Sequence, residues 1–389
     1  MYHDYDGKAV VSYQIEEFPI ADLGIEPSGA EQALTAAKLS KKQVNRAGEI
    51  ISGRLTANVD AVEAYQIVNE WRASHSYPLR VIHTLLTRNA RLVNRYALTS
   101  ARLKRMESIA LKLRRQKGKM DLVQMNDIAG CRAVLWGIEE VPRLVARLET
   151  TFVKGGPFKP RLYDYIERPK PDGYRGIHMA VQYHSKNPVH ASWLGQRIEI
   201  QIRSTLQHAW ATAVETVDLF SNEKLKIGQG SKQWSRFFAL ASAIFAKKEK
   251  RPAVPETPTS DIEHIEELKI LWKTLKVPHL LAGWITAIDA ANPLHGAHFL
   301  LTVDISQRTL KITPFGPPYI IEANAAYAAV EEEDRDNPDR SSVLVSVDKI
   351  VDLKKAFPNY FADTVVFLRE LREALNDYSD LKSTTEINL

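Results

Sequence analysis

The stretch Arg197-Ile-Glu-Ile-Gln-Ile-Arg203 alternates polar and apolar residues with a period of two. Successive side chains of a β-strand point to opposite faces, so the three isoleucines are predicted to face a core. Glu199, Gln201 and Arg203 then share the opposite, polar face. A carboxylate beside an arginine on the polar face of a sheet is suited to act as a general base or a metal ligand. A solvent-exposed strand with a ladder of ion pairs is the alternative.

Helices and strands alternate around this stretch. Strands are predicted at Ile128–Trp136 and Ile177–Tyr183, and helices at Glu139–Thr150 and Leu206–Phe220. This pattern predicts an α+β fold with a mixed β-sheet flanked by helices. Within Ile177–Tyr183 the alternation places His178 on the polar face, close to Glu199 if the two strands share a sheet.

The chain has 389 residues, 44% of them hydrophobic and 25% charged, which is too long for one typical domain. We expect an N-terminal helical segment at 1–79, a central domain at 80–246, a linker at 247–260 and a small C-terminal α+β domain at 261–389. The linker is predicted because residues 247–259 are rich in charge and proline.

The remaining elements follow from apolar spacing. Outside the central strands, helices are predicted at Ser40–Ile51, Asn58–Ala73, Ile262–Leu275, Ala323–Glu332 and Tyr360–Asn376, and Arg80–Met120 as one long helical region. A hairpin is predicted from Phe299–Val303 and Thr309–Thr313, followed by a strand at Ser342–Val347.

Composition excludes several classes of protein. The single cysteine, Cys131, excludes a disulfide scaffold and a cysteine-rich zinc module. The apolar stretch Phe237–Ala246 is shorter than the ~20 residues that span a bilayer, and Met1–Asp6 does not resemble a signal peptide. We therefore expect a cytoplasmic protein with no membrane partner. The net charge of +5 is compatible with a local site for polyanions such as nucleotides.

A basic segment runs from Arg102 to Lys112. On a helix, Lys104, Ser108 and Lys112 would fall within roughly 80° of one another, and Arg102 would reach round from the first turn. Two ammonium groups around a hydroxyl suit a triphosphate. A solvated basic helix face is the alternative.

Two polar residues flank or interrupt the predicted strand at 128–136. Asp127 immediately precedes it, at a position that suits an Mg²⁺ ligand. Arg132 interrupts its apolar run, and its guanidinium is suited to stack on a base or bind phosphate. The alternative is a turn aspartate and an ion-paired arginine.

A loop stiffened by proline and glycine, Pro169-Lys-Pro-Asp-Gly-Tyr-Arg175, precedes the strand that carries His178. It presents Lys170, Tyr174 and Arg175, and a tyrosine on such a loop is a stacking platform for a base. A tyrosine packed over a turn is the alternative.

In their order and spacing, these four segments together resemble the synthetase domain of the RelA/SpoT family over roughly Arg80 to Phe220. The shared motifs are Arg-x-Lys-x3-Ser-x3-Lys, Asp-Ile-Ala-Gly-x-Arg, Asp-Tyr-Ile-x2-Pro-Lys-x2-Gly-Tyr-x3-His and Glu-Ile-Gln-Ile-Arg. The resemblance implies a nucleotidyltransferase-like fold. It also implies an enzyme that transfers the β,γ-pyrophosphate of ATP to the 3′-hydroxyl of GDP or GTP.

The resemblance also implies roles for individual residues. The ATP-binding set would be Arg102, Lys104, Ser108, Lys112 and Arg132, the last beside the adenine. Asp127 and Glu199 would be the catalytic carboxylates and the ligands of Mg²⁺, with Glu199 activating the acceptor hydroxyl. The acceptor-binding set would be Lys170, Tyr174, His178, Gln201 and Arg203, with Tyr174 stacked on the base.

Two departures from the family pattern leave the acceptor open. Tyr163 stands where a lysine or an acidic residue usually precedes Asp-Tyr-Ile, and Asp172 replaces the usual asparagine before Gly-Tyr. One alternative is therefore a toxin-type synthetase that modifies an adenosine nucleotide or the 3′ end of tRNA. Another is an inactive nucleotide or RNA sensor. No hydrolase domain is expected, because His3-Asp4 lacks partner ligands. The oligomeric state stays open.

Overall fold

The computed structural model describes the backbone at 27, 39–55, 61–104, 106–116, 118–155, 159–220, 232–278, 280–281, 298–304, 309–316, 319–334, 340–346 and 360–386. The predictions made for Met1–Asp6, including His3 and Asp4, concern residues outside these ranges.

A five-stranded sheet forms the centre of the protein. Its strands are β1 (Leu98–Leu103), β2 (Ala129–Leu135), β3 (Arg161–Asp164), β4 (Ile177–Gln182) and β5 (Arg197–Ser204). They lie in the order β1-β2-β5-β4-β3. β2 and β5 run parallel and the other neighbours antiparallel, so the predicted mixed sheet is confirmed.

The register of this sheet follows the alternation of the sequence. Ile198, Ile200 and Ile202 are all fully buried, as predicted. They share an apolar cluster with the helices that cover this face. His178 pairs with Gln201, and Ala180 with Glu199, so the polar residues of β4 and β5 meet on the opposite face.

Ten longer helices accompany the strands in the described part of the chain. They are α1 (Lys41–Ile51), α2 (Ala61–Ser74), α3 (Ser76–Val93), α4 (Met106–Arg115), α5 (Glu140–Gly155), α6 (Thr205–Phe220), α7 (Lys232–Lys248), α8 (Asp261–Thr274), α9 (Ile320–Asp334) and α10 (Tyr360–Glu386). None of the described helices has both the length and the apolar character needed to cross a bilayer.

The single long helical region predicted at Arg80–Met120 is wrong. Helix α3 ends at Val93, strand β1 follows, and α4 begins only at Met106. Asn94 breaks the helix because its backbone is extended, with φ −149°. β1 lies at the edge of the sheet and has no fully buried residue, so its sequence lacks the apolar alternation that indicates a strand.

The predicted C-terminal hairpin and its neighbours are present. β6 (His298–Asp304) pairs with β7 (Thr309–Phe315) and with β8 (Arg340–Ser346), which gives a second, three-stranded antiparallel sheet. α8, α9 and α10 lie at the predicted positions, although α10 runs ten residues past the predicted end at Asn376.

An aromatic core joins the C-terminal elements to α6 and α7. Phe367 of α10 is fully buried and makes ring contacts with Phe237, Phe238 and Phe245 of α7. Leu268 of α8 belongs to the same cluster. The predicted domain boundaries at 79, 246 and 260 stay a prediction, and the connection between α7 and α8 contributes buried side chains to the fold.

Candidate active site

Asp127 lies at the start of β2 between two lysines. Its Oδ2 is 2.8 Å from Nζ of Lys104, and its Oδ1 is 2.8 Å from Nζ of Lys112. Burial raises the pKa of Asp127, but the two ammonium groups outweigh that effect and lower it from 3.8 to about 2. Asp127 is therefore ionised at neutral pH and holds both lysines at the edge of the sheet.

Different elements supply the two lysines, which corrects the prediction that they share one helix face. Lys104 follows β1, and its N–H donates to the carbonyl of Ile128 at 2.8 Å. Lys112 lies on α4, which Ile109 and Leu113 anchor in the core. Ser108 is also on α4 and half-buried, but it is absent from the described lining of the site cavities.

Glu199 is the centre of a hydrogen-bond network on the polar face of the sheet. Its Oε1 is 3.2 Å from Nδ1 of His178, and its Oε2 accepts from Nε2 of Gln201 at 2.9 Å. The hydroxyl of Tyr174 hydrogen-bonds to Nε2 of His178 on the other side of the ring. Because an ionised carboxylate only accepts hydrogen bonds, Nδ1 of His178 is the donor to Glu199. Burial raises the pKa of Glu199. The hydrogen bond and charge of His178 outweigh that effect, so the pKa lies below its usual value.

A first cavity of about 110 Å³ opens between these groups. Its lining residues are Ser100, Ala101, Arg102, Lys104, Asp127, Gly130, Cys131, Arg132, Glu199 and Gln201. Arg132 is only 8% exposed. Burial and the nearby charges of Arg203 and Arg102 lower the pKa of its guanidinium. Concentrated buried positive charge favours an anion in this cavity.

A second cavity of about 220 Å³ lies on the far side of Tyr174. It is lined by Lys170, Asp172, Tyr174, Arg203, Trp210, Ala211, Val214, Glu215, Ser235 and Phe238. Nζ of Lys170 is 4.8 Å from the centre of the Tyr174 ring and 4.3 Å from that of Tyr165. Burial lowers the pKa of Lys170.

Arg203 connects the two cavities. Its Nη2 donates to the Tyr174 hydroxyl and to Oε1 of Gln201, each at 3.0 Å. Gln201 lines the first cavity, whereas Tyr174 and Arg203 line the second, so this contact lies between the two. Of the twelve predicted site residues, all except Ser108 either line one of them or, like Lys112 and His178, contact a residue that does.

Sequence reasoning missed the wall of the second cavity and the β1 side of the first. Trp210 and Phe238, from α6 and α7, look like ordinary core residues in the sequence, and both are indeed buried. Ser100 lies on the unrecognised strand β1, opposite Arg132 in the register. The signal for β1 was only the helix-breaking Asn94.

Two carboxylates, Asp127 and Glu199, line the first cavity. The described residues contain no group of three or more histidine, cysteine, aspartate or glutamate side chains arranged to hold a metal. Mg²⁺ usually binds through one or two carboxylates, with water and substrate phosphates completing its shell. The donor set therefore fits a metal that arrives with a phosphate substrate better than one held by protein alone.

The arrangement defines an α+β domain with basic and acidic side chains gathered around a cavity on the polar face of its sheet. Residues 101–220 match the family described as "Region found in RelA / SpoT proteins". The resemblance to RelA/SpoT proteins that the sequence motifs indicate is confirmed for this part of the chain.

The chain also resembles known proteins. It is 30% identical over 122 residues to "GTP pyrophosphokinase YwaC" of Bacillus subtilis (strain 168), which covers 29% of this chain and 54% of that protein. The chain thus spans about half the length of this curated relative.

Two solved structures are also similar. Small alarmone synthetase 1 from Bacillus subtilis is 21% identical, with a TM-score of 0.38 over 45% of this chain and 88% of its own. A GTP pyrophosphokinase family protein from Streptococcus pneumoniae is 21% identical, with a TM-score of 0.37 over 47% of this chain and 89% of its own.

Proposed function

We propose that this protein is an alarmone synthetase that transfers the β,γ-pyrophosphate of ATP to the 3′-hydroxyl of GDP or GTP. The observation that carries the proposal is the first cavity, which Asp127, Lys104 and Glu199 line together, with Lys112 in contact with Asp127 and His178 in contact with Glu199. The match of residues 101–220 to RelA/SpoT proteins supports the same activity. The proposed location is the cytoplasm, where these nucleotides are abundant.

ATP would occupy the first cavity. Lys104 and Arg102, which line the cavity, and Lys112, which contacts Asp127 beside it, would neutralise its phosphates. Arg132, a lining residue of this cavity with little exposure, would contact the adenine face. Preorganised cations of this kind stabilise the charge that develops during phosphoryl transfer.

Glu199 would receive the proton of the acceptor. The 3′-hydroxyl oxygen attacks the β-phosphorus of ATP, the bond from that phosphorus to the bridging α-oxygen breaks, and AMP leaves. The hydroxyl proton passes to Glu199, which is ionised because His178 holds its pKa down. Asp127 and Glu199 would also hold Mg²⁺, which supplies further neutralisation of phosphate charge when bound.

The acceptor would enter from the second cavity. Tyr174 offers its ring to the base once Lys170 moves from the ring to the acceptor phosphates. Arg203 and Gln201 hold the tyrosine hydroxyl and Glu199 in register between the two nucleotides. This arrangement supports a nucleotide acceptor whose ribose reaches Glu199.

Radiolabelled ATP, with the label in the γ-phosphate, tests the proposal. The protein is incubated separately with GDP, GTP, ADP and tRNA, and without an acceptor, and label is followed on thin-layer plates and gels. We expect label in guanosine tetra- or pentaphosphate, with AMP released in equal amount. Label that moves only to an adenosine nucleotide or to tRNA would overturn the guanosine acceptor.

A matched pair of variants tests the assignment of the base. Glu199→Gln keeps a hydrogen-bond acceptor but cannot take a proton, so we expect a loss of ~10²–10⁴-fold in kcat. Glu263→Gln, exposed on α8 and absent from the lining of both cavities, is the control and should keep kcat within about threefold. Full activity of Glu199→Gln would contradict the assignment.

A further inference from the structure

The loop that carries Tyr174 is pressed against helix α7. Gly173 has a φ of +91°, and a Cβ there would lie 2.9 Å from the carbonyl oxygen of Phe238. The N–H of Gly173 donates to the carbonyl of Lys170 at 2.9 Å, which closes the turn. Only glycine fits this close approach with this backbone. The position of Tyr174 therefore depends on what fixes the loop to α7.

Arg175, directly after Tyr174, provides that fixation. Its side chain is almost fully buried, with Nη1 2.6 Å from Oε2 of Glu249. Its Nε donates to Oγ of Ser242 at 3.1 Å, and the same hydroxyl donates to the carbonyl of Gly173 at 2.6 Å. Ser242 and Arg175 thus tie both sides of Tyr174 to α7.

Glu249 connects this loop to the sheet. It follows the last residue of α7, and its carboxylate accepts hydrogen bonds from Oγ of Ser204 and from Nε2 of Gln207, the latter at 3.1 Å. Ser204 ends β5, the strand of Glu199 and Arg203, and Gln207 lies in the first turn of α6. One buried carboxylate therefore joins the Tyr174 loop, the end of β5 and the end of α7.

A buried ion pair is weak evidence for stability, because apolar residues of the same volume often stabilise a fold as well or better. What such a pair gives is a fixed relative position of the groups it connects. Glu249 also lies outside residues 101–220, the part that matches RelA/SpoT proteins.

We propose that Glu249 is a positioning residue for the acceptor nucleotide: through Arg175 and Ser242 it holds the Tyr174 loop at a fixed distance from Glu199. This inference rests on the proposed function, and it concerns the acceptor alone. The first cavity, where ATP would bind, has no lining residue among Glu249, Arg175 and Ser242.

Steady-state kinetics of two variants test the inference. Ser242→Ala removes the hydrogen bonds to Gly173 and Arg175 but keeps the ion pair, and Glu249→Gln removes the charge that compensates Arg175. We expect the KM for the acceptor to rise about tenfold in each, with the KM for ATP within about twofold of the wild type. Backbone amides of residues 172–176 should exchange faster with solvent in Ser242→Ala.

Tyr77→Phe is the matched control. It removes another buried hydroxyl, which contacts Nε2 of His190 at 3.0 Å, far from the loop in the chain. It should lower the stability of the fold but leave the ratio of the acceptor KM to the ATP KM unchanged. If Glu249→Gln does not fold, Ser242→Ala and Arg175→Lys, which keeps the charge but loses the contact with Ser242, carry the test.

The outcomes separate the two proposals. A wild-type protein that transfers nothing to any acceptor overturns the proposed function, and this inference with it. A wild type that transfers pyrophosphate, together with folded variants whose acceptor KM is unchanged or whose two KM values rise equally, overturns only the role of Glu249.

Discussion

Nδ1 of His178 lies 3.2 Å from Oε1 of Glu199, although the two residues sit on different antiparallel strands and are not register partners. The contact is diagonal across the polar face, and it keeps Glu199 ionised despite its burial. The protonation state of Glu199, the proposed base, therefore depends on a side chain of the neighbouring strand.

His178→Asn should move the acid limb of the rate profile to higher pH. Without the imidazole contact, burial raises the pKa of Glu199 unopposed by its main partner, so the carboxylate protonates at a higher pH than in the wild type. The measurement is kcat/KM against pH from 5 to 9. An acid limb at the same pH in both proteins would show that His178 does not control Glu199.

Asp127→Asn should remove a pH-dependent part of stability. The pKa of Asp127 is lowered from 3.8 to about 2, so its ionised form stabilises the fold above pH 3.8, and that stabilisation is lost as pH falls through about 2. The difference corresponds to about 2 kcal/mol. Urea unfolding at pH 7, 4 and 3 checks this: the gap between the two proteins should narrow as pH falls. A gap that is constant with pH would exclude the two lysine contacts as its cause.

Two substitutions separate the ring of Tyr174 from its hydroxyl. Tyr174→Leu removes the stacking surface, and we expect the acceptor KM to rise by about tenfold or more, since base stacking is worth roughly 1–3 kcal/mol. Tyr174→Phe keeps the ring but loses the contacts with His178 and Arg203, so kcat should fall while the acceptor KM changes little. Equal acceptor KM values for Leu and Phe would argue against stacking.

His75→Asn should make the free energy of unfolding depend less steeply on pH in the acid range. Burial lowers the pKa of His75 from 6.5 to about 4, although its hydrogen bond to the carbonyl of Trp71 opposes the shift. The unfolded chain takes up this proton first, so stability present above pH 6.5 is lost as pH falls toward 4. The shift corresponds to about 3 kcal/mol. Unfolding free energies at pH 7.5, 6 and 5 should fall less steeply in the variant than in the wild type.

Phe367→Ala tests whether the C-terminal helix folds with the central domain. The ring is fully buried against three phenylalanines of α7, so its loss should cost about 3–5 kcal/mol. Val365→Ala, on the exposed side of the same helix, should stay within about 0.5 kcal/mol of the wild type. A destabilised C-terminal transition beside an unchanged central one would mean that the two parts unfold separately.

The sequence predicted what periodicity can reveal. β4 and β5 are central strands with one buried face, and their alternation gave both their position and the facing of His178 and Glu199. The edge strands β1 and β3 were missed because exposed or short strands carry no such alternation. These two segments become strands because they pair with β2 and β4, and their own residues carry little sign of it.

In the candidate site, too, local sequence patterns predicted some residues, whereas contacts between distant segments could not be predicted. Asp127 was singled out by its place before an apolar strand, but its two lysine partners come from a strand end and a helix that tertiary folding brings together. Arg175 was noticed in its loop, whereas its partner Glu249 lies 74 residues later in a predicted linker. Contacts over such separations leave no local pattern in a single sequence.

The aromatic core closed by α10 also has a consequence for biogenesis. Phe237, Phe238 and Phe245 emerge from the ribosome more than a hundred residues before Phe367, and until then their rings lack the partner that buries them. The apolar cluster shared by α6 and α7, which lies behind Tyr174, is therefore complete only after Tyr360–Glu386 has been translated. Until that point, the nascent chain cannot complete the burial of these apolar rings.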